Sequence, residues 1–248
     1  MAFLEIRNLV KRFGAFVATN DVSCDIDETG ILSIIGPNGA GKTTFFNLLT
    51  GLLKPDSGSI HYRGKDITGL KPYQVVGQGI ARSFQVVSLF EEMTVLENVC
   101  IGVQHRLGQM RHPFRSFKKN KQVQEKAMEI LERVNIADKA NNGAAYIPHG
   151  DRKILDLAVA ITSEPQTLLL DEPMAGLSKA ERLRITDLIK ELNKTTKIII
   201  VEHDMDLVFG ISDEIIVLHH GTILATGTPK EIANNNEVQA AYLGHEVQ

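Results

Sequence analysis

Nine residues, GPNGAGKTT at 36–44, carry the strongest chemical signal in this chain. Gly36, Gly41, Lys42 and Thr43 fit the spacing G-x-x-x-x-G-K-[ST]. Glycines so placed let the backbone curl until successive N–H groups point inward at a β-phosphate. Lys42 brings a mobile positive charge for the β- and γ-phosphates, and Thr43 a hydroxyl for Mg2+. The candidate cradle is Gly36, Pro37, Asn38, Gly39, Ala40, Gly41, Lys42, Thr43 and Thr44. A second signal lies at TLLLDEP (167–173). Asp171, at the end of an apolar run, is the type of residue that holds Mg2+, and Glu172 could polarise an attacking water as general base. Alone, an Asp-Glu pair after a strand reads as a helix cap; beside a phosphate loop the chemical reading prevails.

Such a loop needs a strand to launch it and a helix to receive it. GILSIIG (30–36) is a short apolar run of the kind buried on both faces, and KTTFFNLLTGLL (42–53) reads as a helix turning its positive end to the same anion. FLEIRNLV (3–10) and AFVATNDVSCDID (15–27) alternate as strands. GSIHYRGKDI (58–67) reads as an edge hairpin turning at Arg63-Gly64. In KQVQEKAMEILERVN (121–135), Val123, Ala127, Ile130, Leu131 and Val134 share one face of an amphipathic helix. TLLLDEP and KIIIVEHD (197–204) are buried strands separated by the helix KAERLRITDLIKELNK (179–194). DEIIVLHHGTILATG (213–227) closes as a hairpin turning at His220-Gly221. Strand–helix alternation with short connections predicts an α/β fold around a mostly parallel sheet.

Composition narrows the classes. At 248 residues the chain fits one large α/β domain or two small ones. With 27 basic and 30 acidic residues, no global field favours nucleic acid. Cys24 and Cys100 lack metal-type spacing and read as small core residues in a reducing compartment. MAFLEIRNLV places Glu5 and Arg7 where a signal peptide would be apolar, so it is expected to be a strand. No run approaches the ~18 apolar residues of a membrane span. The expectation is a cytosolic protein that reaches a membrane through a partner.

GPNGAGKTT, RSFQ (82–85), LLLDEP and IIIVEHD stand in the order and spacing of the ATP-binding subunits of ABC transporters, and the resemblance covers essentially the whole chain. It implies an ABC ATPase cassette spanning 1–248: a P-loop NTPase (RecA-like) core, an antiparallel β subdomain and a helical subdomain. The core, β subdomain and C-terminal tail would take 1–88 and 156–248, and the helical subdomain 89–155. ATP and Mg2+ are the implied cofactors. Phe13 matches the aromatic that stacks on adenine, its alternative being a core Phe. Gln85 resembles the residue that senses Mg2+ and water and links to the membrane subunit. His203 resembles the histidine that contacts the γ-phosphate and supports the attacking water. MAGLS (174–178) resembles the loop that crosses the dimer interface. IPHGD (147–151) resembles the signature, whose serine hydroxyl and backbone N–H groups reach the opposite subunit's γ-phosphate. Gly150 keeps its type there, but Pro148 replaces Ser, His149 replaces Gly and Asp151 replaces Gln; Ser178 stands where Asp or Asn is usual in the interface loop. Pro148 offers neither hydroxyl nor N–H. Asp151 is expected to add negative charge near the phosphate, offset by Arg152 and Lys153, leaving the Gly150 N–H to face the anion.

RSFQVVSLFEEMTVLENV (82–99), the long insertion after it, EHDMDLVFGISDEIIVL, GTPKEI and AAYLG are similar to the branched-chain amino-acid importer family. The implied function is ATP hydrolysis driving uptake of branched-chain or other hydrophobic amino acids from the cytoplasmic face of the cell membrane. The implied partners are transmembrane permease subunits, a second ATPase subunit and, indirectly, a periplasmic or extracellular solute-binding protein. Urea and short-chain amide importers share much of the pattern. Other classes are an ABC ATPase acting on ribosomes or DNA, and a P-loop small-molecule kinase. The former usually carry paired cassettes or long coiled coils, and the latter has no use for Gln85, the signature region or His203. The segment 105–121 holds Arg106, Arg111, Arg115, Lys118, Lys119 and Lys121 without an acid, with Phe114 and Phe117 interleaved. It reads as a solvated surface or, in this architecture, a contact for lipid headgroups rather than nucleic acid.

Overall fold

The computed structural model describes residues 3–83, 89–109 and 120–243. Ten strands and nine α-helices are assigned among them. In chain order the strands are β1 (Leu4–Phe13), β2 (Phe16–Ile26), β3 (Ile31–Ile35), β4 (Ser57–Tyr62), β5 (Lys65–Asp66), β6 (Ile80–Ser83), β7 (Thr167–Asp171), β8 (Lys197–Val201), β9 (Glu214–His219) and β10 (Thr222–Gly227). The helices are α1 (Lys42–Leu49), α2 (Pro72–Gly77), α3 (Val95–Arg106), α4 (Lys121–Arg133), α5 (His149–Ile161), α6 (Lys179–Asn193), α7 (Met205–Ile211), α8 (Pro229–Ala233) and α9 (Asn236–Leu243).

Six strands form one sheet in the order β10-β9-β3-β8-β7-β6, parallel except for the terminal β9–β10 hairpin. ILSII, TLLLD and KIIIV are buried at every position, as strands covered on both faces must be. Alternation assigns each residue to a face. Leu168, Leu170, Ile198 and Ile200 pack with α3, α4, α5 and α6, while Leu169, Ile199 and Val201 join Phe45, Phe46, Leu48 and Leu49 of α1. That second core continues into the antiparallel sheet β2-β1-β4-β5 through Leu4, Ile6, Leu9, Ile26 and Ile60, so α1 lies between two sheets. The predicted turns are present: Arg63 and Gly64, like His220 and Gly221, have positive φ, as tight hairpins require.

Helix α1 is shorter than its apolar run. It stops at Leu49, and Gly51 takes a φ of 71° with backbone packed against it where a Cβ would collide. On α4, Val123, Ala127 and Leu131 are fully buried and Ile130 only partly, so the predicted face is correct but narrower. Cys100 is buried and Cys24 partly so; both are free, and burial pushes their thiols up to about 11 and about 12. Among the described residues no helix is long and apolar enough to cross a membrane.

Candidate functional site

Register builds the site. Ile34 on β3 pairs with Val201 on β8, and Val201 with Asp171 on β7. The three strands therefore end side by side, delivering the 36–44 loop, Asp171-Glu172 and Glu202-His203 to one edge of the sheet. Open parallel sheets bind ligands at that edge.

Within the loop, Gly36 has a φ of 152°, and a Cβ there would lie 2.1 Å from the Leu218 carbonyl oxygen. Gly41 has a φ of 100° and would meet the Ala18 oxygen at 2.3 Å. Only glycine fits either position. The turn after β9 clamps the loop from outside, the Gly221 N–H donating to the Ala40 oxygen at 3.0 Å. Lys42 opens α1 and folds back, its Nζ donating to Gly36 O at 2.6 Å and Pro37 O at 3.0 Å. Burial lowers its pKa, opposed by the charges of Glu172 and Asp171. Among the described residues no carboxylate pairs with it directly, and a half-buried ammonium held by carbonyls alone is suited to an incoming anion. Pro37 is partly buried, Asn38 and Gly39 exposed and Ala40 buried; Thr43 and Thr44 follow in the first turn of α1, Thr43 exposed.

Asp171 is 3% exposed and held by Arg82, whose Nη2 donates to Asp171 Oδ2 at 2.5 Å. Glu172 takes a φ of 47°, unusual for its type, and its N–H donates to Val201 O at 2.9 Å. That backbone turns its carboxylate out of the strand toward His203, whose Nδ1 lies 3.8 Å from Glu172 Oε1. Sequence reasoning missed Glu202. Its carboxylate is 2% exposed, accepting the N–H of Met174 at 3.2 Å and of His203 at 3.3 Å. Burial raises its pKa against those two hydrogen bonds. It joins the histidine to the 174–178 loop. Its signal, a Glu immediately after an apolar strand, was on the page in VEHD.

Phe13 is 49% exposed, so the core alternative fails; Phe16, opposite it across the β1–β2 turn and 60% exposed, is a second ring that sequence reasoning passed over. The same hairpin carries Ala18, which packs on Gly41, so both rings rise from a strand pair abutting the loop. Gln85 lies outside the described residues, as does most of the basic segment 105–121.

IPHGD forms the start of α5, with Pro148 as N-cap and no side chain capping it. Two expectations change here. Asp151 does not face an anion: it is 4% exposed and bound by Lys139 Nζ at 2.9 Å and Arg184 Nη1 at 2.6 Å. Arg152 pairs with Glu91 instead. Position three of a helix looks sideways as well as forward, and two nearby cations decided the direction. Nor is the Gly150 N–H open; it donates to Glu181 Oε1 at 3.2 Å, while the other oxygen of that carboxylate accepts from Ser178. A Cβ at residue 150 would lie 2.5 Å from Glu181 Oε1, so glycine admits the carboxylate. Ser178 thus serves as the cap of α6.

Burial would raise the Asp151 carboxyl, and the hydrogen bonds from Lys139 and Arg184 more than reverse it, leaving it below the ordinary 3.8. Asp151→Asn is expected to cost about 2 kcal/mol at neutral pH, the scale of hydrogen bonds to a charged group. The stabilisation is present above pH 3.8 and lost as pH falls through the lower folded value, so the two proteins should converge in strong acid. Urea denaturation at neutral and strongly acid pH reads both.

Comparison with known proteins gives the family. The ABC transporter family model matches residues 19–175, and a model of branched-chain amino acid ATP-binding cassette transporters matches 222–248. The high-affinity branched-chain amino acid transport ATP-binding protein LivG of Salmonella typhimurium is 43% identical, with 97% of each chain covered. Its counterpart BraF of Pseudomonas aeruginosa is 40% identical over the same share. Among solved structures, an ABC transporter cassette in its ADP conformation superposes with a TM-score of 0.88 at 33% identity, covering 98% of this chain and 99% of that one. The chain belongs to the ABC transporter ATP-binding family and is the nucleotide-binding ATPase subunit of such a transporter.

Proposed function

We propose that this subunit energises import of branched-chain amino acids, working at the cytoplasmic face of a membrane on a pair of permease subunits. The observation that carries the chemistry is the common edge of β3, β7 and β8, where Lys42, Asp171, Glu172 and His203 converge. The names of the relatives above support the solute class. In this reading residues 36–44 wrap the phosphates by backbone N–H groups, and the exposed Phe13 receives the adenine. Lys42 exchanges its carbonyl partners for the β- and γ-phosphates. The Thr43 hydroxyl and Asp171 carboxylate are hard oxygen donors of the type Mg2+ takes, and the family resemblance adds Gln85 to them. Bound there, the ion would neutralise phosphate charge. Glu172 accepts the proton of an attacking water, and His203 steadies that water beside it.

The helical subdomain, assigned to 89–155, would present IPHGD to the nucleotide of a second ATPase subunit. Pro148 has no donor, and the Gly150 N–H is engaged by Glu181, so this half is a poor phosphate grip. A heteromeric partner with the usual signature serves the site built on Lys42 and Glu172.

The test is reconstitution of the subunit with its permease pair, second ATPase and solute-binding protein in liposomes. ATPase activity of the isolated chain is expected to be low. The complex should be stimulated by leucine, isoleucine or valine and not by urea. Stimulation by urea or short amides alone would replace the solute assignment, and a fast isolated chain would remove the need for a partner.

A further inference from the structure

Arg82 lies next to the end of β6 and has no task in the chemistry above. Its side chain is only 9% exposed. Nη2 donates to Asp171 Oδ2 at 2.5 Å, Nη1 to Asn47 Oδ1 at 2.6 Å, and the guanidinium lies 5.7 Å from the centre of the Phe46 ring. One side chain thus ties β6 to the phosphate-loop helix α1 and to the acidic end of β7. The guanidinium engages Asn47 and Asp171 through separate nitrogens.

An internal ion pair is the plain reading, and its position argues for more. The oxygen that Arg82 holds belongs to the carboxylate best placed to meet a metal. Lys42, the other cation of the site, is engaged by Gly36 O and Pro37 O instead. Among the described residues, Arg82 is the only cation within ion-pair distance of Asp171. A carboxylate this buried needs a counter-charge before any metal arrives. Once a divalent cation binds the same group, the guanidinium repels it across a short, poorly solvated distance.

We propose that Arg82 is the resident counter-ion of the metal-site carboxylate: it fixes Asp171 by Oδ2 before a metal binds and thereby sets the Mg2+ requirement of nucleotide binding. This rests on the nucleotide reading given above. Arg82 is a positioning residue, because it acts through Asp171.

The experiment compares the full chain with Arg82→Gln, which keeps a donor without charge, and Arg82→Lys, which keeps charge without the fork. Thermal melting without nucleotide, in EDTA and across a Mg2+ titration, is the first readout. The second is the Mg2+ concentration giving half-maximal binding of a fluorescent ATP analogue in a Glu172→Gln background. Wild type should melt alike in EDTA and Mg2+. Arg82→Gln should melt lower in EDTA and recover with Mg2+, and its half-saturating Mg2+ should fall about tenfold, because the cation becomes the only counter-charge of Asp171. Arg82→Lys should stay within about twofold of wild type if charge is what counts. Mg2+-independent melting of Arg82→Gln with a wild-type Mg2+ midpoint overturns the proposal, as do equal shifts in both variants. Should Arg82→Gln melt without cooperativity in EDTA, a cooperative transition restored by Mg2+ supports it, and none at any Mg2+ concentration overturns it. Failure of wild type to bind nucleotide at every Mg2+ concentration would remove the nucleotide reading, while the melting arm would still decide the role of Arg82.

Discussion

Glu172→Gln is expected to bind ATP as tightly as wild type and to hydrolyse it about 10²–10⁴-fold more slowly, the range ascribed to a positioned general base. The amide fills the same space but cannot take a proton from water. Two features single out Glu172 rather than its neighbours. The left-handed backbone at this residue, with φ of 47°, swings the carboxylate away from the β7 ladder. Of the nearby carboxylates, Asp171 is 3% exposed and held by Arg82, and Glu202 is 2% exposed and accepts two backbone N–H groups, so neither is as open to a solvent molecule. His203 is exposed enough to approach both water and phosphate, and lies 3.8 Å from Glu172 Oε1. Single-turnover hydrolysis together with equilibrium nucleotide binding makes the test. A wild-type rate in Glu172→Gln would mean that another group orients the water, and His203→Ala would then be the variant to examine.

The groups proposed to meet ligand were legible in the sequence; the groups that hold them were mostly not. Phosphate chemistry demands Gly, Lys and Thr at fixed offsets along a few consecutive residues, so GPNGAGKTT declares itself. Asp171 and Glu172 follow a run whose burial is written in its composition. Arg82 was visible inside RSFQ, yet its partner Asp171 stands 89 residues away, and only the β6–β7 pairing brings them together. Glu181 meets Gly150 across 31 residues in the same manner, and it reversed the expectation of an open N–H at the start of α5. Asp151 was misread for a related reason: local spacing gives the helix and its first turn, but Lys139 and Arg184 come from elsewhere and set its direction. Strand order needs the same long-range information. The end of α1 was misjudged because the apolar run LTGLL continues past Leu49, whereas the backbone obeys Gly51.

Lys42→Ala is expected to weaken ATP binding about 100-fold, because losing one or two charged hydrogen bonds to phosphate costs about 3 kcal/mol. The carbonyls of Gly36 and Pro37 hold this ammonium at the mouth of the loop. Burial lowers its pKa below 10.5, opposed only by the more distant charges of Glu172 and Asp171. Phosphate oxygens favour the ammonium, so nucleotide binding should raise the pKa again and take up a proton in alkaline solution. Affinity of wild type should therefore fall as pH rises through the free-site value, and Lys42→Ala, already weak, should show no such fall. Unfolding would not mimic this. Between the lowered folded pKa and 10.5 the unfolded chain binds more protons at Lys42 than the native one, so this residue's contribution to stability increases with pH. Titrating a fluorescent nucleotide between neutral pH and pH about 10, with melting followed in parallel, separates affinity from stability. Equal affinities for wild type and Lys42→Ala at neutral pH would remove the phosphate-binding role of the 36–44 loop, and with it the ATPase chemistry assigned to the edge formed by β3, β7 and β8.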